Sequence, residues 1–175
     1  NFFRSTVAAL LDTSPINVLA ASEKVSKLHT ALTYAERLLL FSESQQFSLL
    51  GNQYLSPKTV SVTPTTDFLN SAAVRPVLAG STVFFSFPRT DFGGISEEQL
   101  DSLDAKDITA HIPKYLEGDI KKMAVCSSED VMAVLTNKTG SARLFIYKFF
   151  LDNNNQKTQS AWFTYATGDG DAQIL

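Results

Sequence analysis

Near its middle the chain carries Thr82-Val83-Phe84-Phe85-Ser86-Phe87, an apolar run that ends near polar turn residues and is too short for a typical globular helix. Residues 37–42 and 131–136 form two further runs of the same character. Strands that are buried on both faces have this composition, because neither side needs to be polar. The three runs start about 45 and then about 49 residues apart, a repeat length typical of four-stranded propeller blades.

Further strand candidates surround these runs. Residues 59–63 alternate polar and apolar side chains, as expected for a half-exposed outer strand, and residues 152–155 form a clear hairpin turn. The other candidates are residues 27–33, 45–50, 75–79, 120–126, 143–151 and 160–166. The sequence therefore predicts a mainly β chain built from consecutive four-stranded antiparallel blades of a partial β-propeller.

One or two short helices are expected in addition. Residues 104–113 favour a helix that Asp104 or Asp107 would cap and Pro113 would end. Residues 96–100 and residues 6–11 are further candidates for a short helical stretch, and a strand is expected at residues 16–20 after the second of these.

These patterns divide the chain into five parts. We expect an opening segment at 1–26 with a short helix and strand, blade 1 at 27–70, blade 2 at 71–118 with the helical insert, blade 3 at 119–167, and the start of another blade at 168–175. The chain begins without an initiator Met or a signal-peptide layout, and its last residues resemble a strand cut short. We therefore expect an internal fragment of a longer polypeptide.

The composition argues against several classes of protein. Hydrophobic residues make up 44% of the chain, including 13 Phe, which is incompatible with a disordered tail. A formal charge of -3 argues against a protein that grips phosphates over a broad surface, although it permits a surface that DNA slides past. No run approaches the roughly 18 to 20 apolar residues of a membrane span.

Side chains that could carry chemistry are few and scattered. The lone Cys126 rules out an intramolecular disulfide, and its apolar neighbours predict a small core residue. His29 and His111 are far apart in sequence and no Gly-x-Ser-x-Gly motif occurs, so structural or surface roles are expected for both. The carboxylate pairs Glu97-Glu98 and Glu129-Asp130 lie in polar contexts that favour solvated turns.

The remaining motifs favour structural roles too. Residues 168–171 resemble part of a calcium loop but lack its ligand series, and a tight turn between blades is expected there. Gly93-Gly94 is a lone diglycine and does not form the pattern of a phosphate-binding loop. Lys121-Lys122 is expected to lie on an exposed strand edge. No residue is assigned a catalytic, cofactor-binding or metal-binding role, and no cofactor is expected.

The pattern of the whole chain resembles the tail nozzle proteins (tail tubular protein B) of short-tailed, autographivirus-type bacteriophages. The matching stretches occur in family order with similar spacing over nearly the full length. They are residues 1–3, 15–18, 36–43, 46–49, 75–77, 83–89, 107–115, 144–149 and 160–163.

The resemblance implies a structural virion protein of the phage tail with no enzymatic activity. Proteins of this kind are similar to a β-propeller in their middle part and form six-membered rings below the portal and adaptor. They extend the DNA exit channel and help to hold the tail fibres. The expected partners are therefore other copies of the chain, tail adaptor and tail-fibre proteins, and passing double-stranded DNA without specific binding, with no membrane insertion by this segment.

Two alternatives stay open from the sequence. A glycan-binding or sialidase-like propeller would cluster arginine, tyrosine and carboxylate side chains, whereas the arginines here are scattered. A cellular protein-interaction propeller would show Gly-His and Trp-Asp signatures in its blades, and these are absent.

Overall fold

The computed structural model describes residues 14–16, 18, 27–50, 55–102, 104–152 and 157–165. Within these ranges all regular structure is β, in three four-stranded antiparallel sheets, and each sheet consists of four strands that are consecutive in sequence. Sheet 1 contains β1 Thr30–Tyr34, β2 Arg37–Phe41, β3 Gln46–Leu50 and β4 Ser61–Thr66. Sheet 2 contains β5 Val77–Ala79, β6 Thr82–Pro88, β7 Gly93–Gln99 and β8 Asp104–Asp107. Sheet 3 contains β9 Asp119–Cys126, β10 Val131–Lys138, β11 Ser141–Leu151 and β12 Lys157–Tyr165. The predicted fold class is confirmed.

Sheet 2 lies between the other two sheets and is buried on both faces. Alternate side chains of β6 point to opposite sides, so Phe84 joins the core shared with sheet 3 while Val83 and Phe85 join the core shared with sheet 1. The Phe84 ring lies 5.7 Å from that of Phe149, and the Phe85 ring lies 6.3 Å from that of Phe41. The full burial predicted from the composition of residues 82–87 therefore comes from a neighbouring sheet on each side.

Tight hairpins connect several strands within the sheets. Two residues, Gly80 and Ser81, join β5 to β6, and Gly80 adopts the left-handed φ of 58° that glycine tolerates. Thr139 and Gly140 join β10 to β11 with φ values of 50° and 87°. Two consecutive positive values are the signature of a type I′ turn, whose twist matches that of the flanking strands.

The helices predicted in sheet 2 are wrong. Residues 96–99 belong to β7 and Asp104–Asp107 forms β8, because pairing with β6 and β7 overrides their weak intrinsic β preference. Asp107 does act as a local cap, since its carboxylate accepts hydrogen bonds from the Thr109 amide at 2.8 Å and the Thr109 hydroxyl at 2.6 Å. Residues 108–115 then continue as turns. The helix predicted at residues 6–11 and the start of a blade at 168–175 lie outside the described residues, as does most of the strand predicted at 16–20.

Candidate functional site

The two histidines lie in different parts of the structure. His29 precedes β1, and its ring contacts the Thr30 hydroxyl and the Asn70 side-chain nitrogen, each at 3.2 Å. His111 is exposed in the turns that follow β8. The structure does not bring the two side chains into one site, so no shared acid–base centre forms between them.

The carboxylates Glu97 and Glu98 are buried in β7 rather than solvated in a turn, and that prediction is wrong. Being consecutive in a strand, they point to opposite faces of sheet 2. Glu97 forms an ion pair with Lys157 of sheet 3, and both side chains are largely buried, at 3% and 13% exposure. Lys157 also lies over the ring of Tyr147, 5.4 Å from its centroid. This group therefore ties sheet 2 to sheet 3 instead of pairing two carboxylates for catalysis.

Glu98 faces sheet 1 and has a different environment. Its carboxyl accepts a long hydrogen bond of 3.4 Å from the Thr66 hydroxyl, while that hydroxyl also lies 2.8 Å from the Gln46 carbonyl oxygen. Burial raises the pKa of the Glu98 carboxyl, and the Thr66 hydrogen bond offsets part of this rise. Glu98, Thr66 and Gln46 therefore form a polar patch between sheets 1 and 2, beside the apolar core that these sheets share.

Several other charged side chains form ion pairs or hydrogen bonds at separate places in the structure. Glu117 holds Arg143 at 3.0 Å and Lys138 at 3.6 Å, while Arg89 pairs with Asp107. Near the opposite end of the sheets the Tyr34 hydroxyl donates to Asp101 at 3.3 Å, and burial together with this carboxylate raises the pKa of Tyr34. The arginine cluster of a sialidase-like centre does not form among the described residues.

The diglycine has a packing role. A side chain at Gly93 would overlap Ile120, and one at Gly94 would overlap the Phe87 ring, so both positions mark a close approach of the β7 backbone to its neighbours. The Glu129-Asp130 pair does lie in the turn between β9 and β10, as predicted.

A bulge in β9 explains the position of Cys126. The register with β10 shifts between Leu135 and Thr136, which leaves Lys121 and Lys122 both exposed and reverses the alternation along the rest of the strand. Cys126 is therefore exposed, and the predicted core position is wrong. The prediction of an exposed edge at the two lysines is confirmed.

A cavity between sheets 2 and 3 is small compared with typical ligand sites. A cavity of about 110 Å³ lies between sheets 2 and 3, beside Ala79, Ser127 and Asp130. Ligand pockets usually measure roughly 300 to 1,000 Å³, so this one suits a few water molecules. The described ranges bring together no group of three or more histidine, cysteine or carboxylate side chains that could hold a metal ion. They also contain no helix long and apolar enough to cross a membrane.

The outer face of sheet 3, on the side away from sheet 2, is apolar and open among the described residues. Phe150 is 59% exposed, Phe163 47% and Tyr165 58%, and β10 and β11 place half-buried aliphatic side chains beside them. Exposed apolar patches of this kind mark interaction surfaces. This face, and not a cleft, is the most distinctive surface of the described structure.

Comparison with known proteins identifies the family of the chain. A family model described as bacteriophage nozzle protein matches residues 1–175. The chain belongs to this family. It is accordingly a structural protein of the phage tail.

A curated relative agrees with the family assignment. The nozzle-family chain is 31% identical over 180 residues to the protein named tail tubular protein gp12 of Escherichia phage T7. That alignment covers all of the chain and 22% of the relative, so the chain spans about one fifth of the relative's length.

Two solved structures are similar at low sequence identity. The N-terminal domain of Nup159 matches 80% of the chain and 31% of its own length, at 13% identity and a TM-score of 0.45. The β-propeller domain of the Trilobed protease from Pyrococcus furiosus matches 83% of the chain and 45% of its own length, at 12% identity and a TM-score of 0.40.

Proposed function

We propose that this chain forms a rigid, non-catalytic section of the wall of the phage tail nozzle, through which the DNA leaves the virion. The observation that carries the proposal is the packing of sheet 2, whose central strand β6 is buried from Thr82 to Ser86 by a sheet on each side. Aromatic cores on both faces oppose sliding and separation of the sheets, because close-packed protein interiors have low compressibility.

Carboxylates that contact the basic side chains of sheet 3 support passage of DNA without specific binding, because they lower the local positive charge. At one end of sheet 3, Lys138 and Arg143 share Glu117, and Asp119 pairs with Lys121 at 3.1 Å. Strong binding to duplex DNA requires several unpaired cations along the phosphate backbone. A conduit benefits from the opposite arrangement, since bound phosphates would retard the duplex.

This proposal is tested by titrating the chain with a fluorescent DNA duplex and measuring anisotropy at low and at physiological salt. We expect no saturable binding at physiological salt. Glu117→Lys should create a basic patch together with Lys121, Lys138 and Arg143 and should introduce salt-sensitive binding. Glu129→Lys adds the same charge at the opposite end of sheet 3, away from these cations, and serves as the control. Tight binding of the duplex by the chain without substitutions would contradict the proposal that DNA passes without specific binding.

We further propose that the sheets are successive blades within residues 27–70, 71–118 and 119–167, and that another sheet of the same polypeptide covers the outer face of sheet 3. Sheet 2 supports this idea, because both of its apolar faces are covered in the same way. In the longer protein, Phe150→Ala should then lower the unfolding midpoint substantially, whereas in this chain it should have almost no effect. Equal, small effects in both proteins would exclude the covering sheet.

Assembly of the nozzle with other copies, with a tail adaptor and with tail fibres also belongs to this proposal. The family assignment supports it, since a nozzle section works only within a larger tail. The apolar outer face and the exposed strand edges of the sheets are the surfaces available for such contacts.

A further inference from the structure

The outer face of sheet 1, on the side away from sheet 2, contains a buried aromatic ring. Ser48 in β3 is opposite Leu39, which belongs to the core shared with sheet 2, so the preceding residue Phe47 points to the outer face. Phe47 is nevertheless only 4% exposed, and it belongs to neither of the cores that sheet 2 shares with its neighbours. The burial of this ring therefore has another source.

Side chains of the same sheet do not account for this burial. Phe150 has the corresponding place in sheet 3, because it lies in the third strand and points away from sheet 2, and it is 59% exposed. The residues opposite Phe47 in the adjacent strands are Leu40, which is half-buried, and Pro64, which is exposed. We therefore infer that Phe47 is covered from above the sheet.

The described part of the loop between β3 and β4 does not supply this cover. The loop follows Leu50, at the other end of β3, and its Leu55 side chain is exposed. The outer face of sheet 1 continues beside Phe47 with aliphatic side chains that are all half-buried, namely Leu38, Leu40, Leu49 and Val62. An apolar segment of several residues would match this surface.

The part of the chain that precedes β1 contains such a segment. Residues 16–20 are Ile-Asn-Val-Leu-Ala, and Val18 is half-buried whereas Ile16 is exposed. Residues 21–29 connect this segment to β1 and can extend over roughly 30 Å. A layer stacked on a sheet lies about 10 Å above it, and β3 lies about 10 Å from β1, so the segment can reach Phe47.

We propose that residues 16–20 lie across the outer face of sheet 1 and that Val18 packs on Phe47. Another sheet can then pack directly on the open outer face of sheet 3 but not on sheet 1. The three sheets therefore have one face for further growth of the stack. This inference goes beyond the proposed wall section and does not depend on the passage of DNA.

Chemical cross-linking of cysteine pairs tests the position of the segment in the whole chain, with Cys126→Ser as background. Pro64 and Thr63 are consecutive exposed residues of β4, so Pro64 points to the outer face and Thr63 to the side of sheet 2. A bismaleimide that spans about 10 Å, the distance between stacked layers, should join Val18→Cys to Pro64→Cys about tenfold faster than to Thr63→Cys. Equal rates, a product only between two chains, or no product within one chain would each overturn the proposal.

Thermal unfolding of the whole chain tests the contact itself. Phe47→Ala should lower the unfolding midpoint by about 10 °C, because it opens a cavity beneath the segment. Val18→Lys should also lower the midpoint, and the two losses should not add, since each change breaks the same contact. Ile16→Lys is the matched control and should change the midpoint by less than about 2 °C.

Three results of this measurement would contradict the proposal. They are a Phe47→Ala loss as small as that expected for Phe150→Ala, losses that add in the double variant, and equal losses for Val18→Lys and Ile16→Lys. All of these outcomes are independent of whether the chain binds DNA.

Discussion

At the scale of single residues, backbone conformation matters most at the turn between β10 and β11. Thr139 adopts a φ of 50°, a left-handed conformation that a β-branched side chain disfavours, and Gly140 follows at 87°. Asparagine tolerates this conformation well, and Asn-Gly is the preferred sequence for such a two-residue turn. The turn therefore stores a small amount of strain that a substitution can release.

Thr139→Asn should stabilise the chain by about 1 kcal/mol, because it relieves the left-handed strain without altering a packed side chain. Urea unfolding followed by tryptophan fluorescence measures the change. Thr139→Val keeps the β-branched shape and should give no gain. Equal stability of all three proteins would show that the turn is unstrained.

Glu98→Gln should stabilise the chain at neutral pH. Burial raises the pKa of Glu98 above its ordinary 4.5, so above that value the folded chain retains a proton that the unfolded chain has released. Stability therefore falls as pH rises from 4.5 through the raised pKa, and the amide removes this loss. The difference in unfolding midpoint between Glu98→Gln and the unchanged chain should shrink as the pH is lowered toward 4.5. Glu129→Gln, at an exposed position, should show a difference that is small at every pH.

Predictions from the sequence were least accurate for the environments of single side chains. Glu97 and Glu98 follow a diglycine and resemble a loop, and only tertiary pairing with β6 makes them a strand. Cys126 lies in a correctly predicted strand, but the bulge near Lys121 reverses its side, and no local pattern announces an extra residue.

At the scale of elements, one ion pair joins β7 of sheet 2 to β12 of sheet 3. Glu97 and Lys157 are both largely removed from water, and a buried charge left without its partner is costly. The pair also holds Lys157, the first residue of β12, against sheet 2. Its contribution depends on both members being present.

Lys157→Met should destabilise the chain by about 3 kcal/mol or more, since it leaves the Glu97 carboxylate buried and unpaired. The double change Glu97→Gln with Lys157→Met should recover much of this loss, because neither charge then remains. Denaturant unfolding of the unchanged chain, both single variants and the double variant measures the coupling. Losses that simply add would show that the two side chains do not interact.

The strands themselves were predictable and the helices were not. The strands β2, β6 and β10 were recognisable as short apolar runs, because interior strands of packed sheets bury most of their side chains. Asp107 has the chemistry of a helix cap and does accept a hydrogen bond from a following amide, but a cap also begins turns. The sequence signal was therefore correct about the hydrogen bond and wrong about the element.

At the scale of the whole described molecule, the interface between sheets 2 and 3 contains the larger core. Phe84 is 1% exposed and contacts Tyr147 and Phe149, whose rings lie 6.3 and 5.7 Å from its own. The spacing of the runs predicted three sheets. Burial on both faces was expected for all three runs, but β10 alternates buried and half-buried side chains, because the outer face of sheet 3 is open among the described residues.

Phe84→Ala should destabilise the chain by about 3 to 5 kcal/mol, because it opens a cavity between two sheets. Phe150→Ala removes the same ring from the open outer face and should change stability by less than about 0.5 kcal/mol. Thermal unfolding of the two variants provides the comparison. A similar loss in both would mean that the outer face is not open in solution.

The order of the strands also bears on how the protein is made. Each sheet uses four neighbouring strands, so every backbone pairing within it connects segments close in sequence. A ribosome that has released residues up to Thr66 has released every strand of sheet 1, before any strand of sheet 2 has been synthesised. Strand pairing within one sheet therefore closes shorter loops than contacts between different sheets do, and shorter loops cost less entropy to close. We therefore expect the sheets to form one after another during synthesis, each packing against the exposed face of the sheet before it.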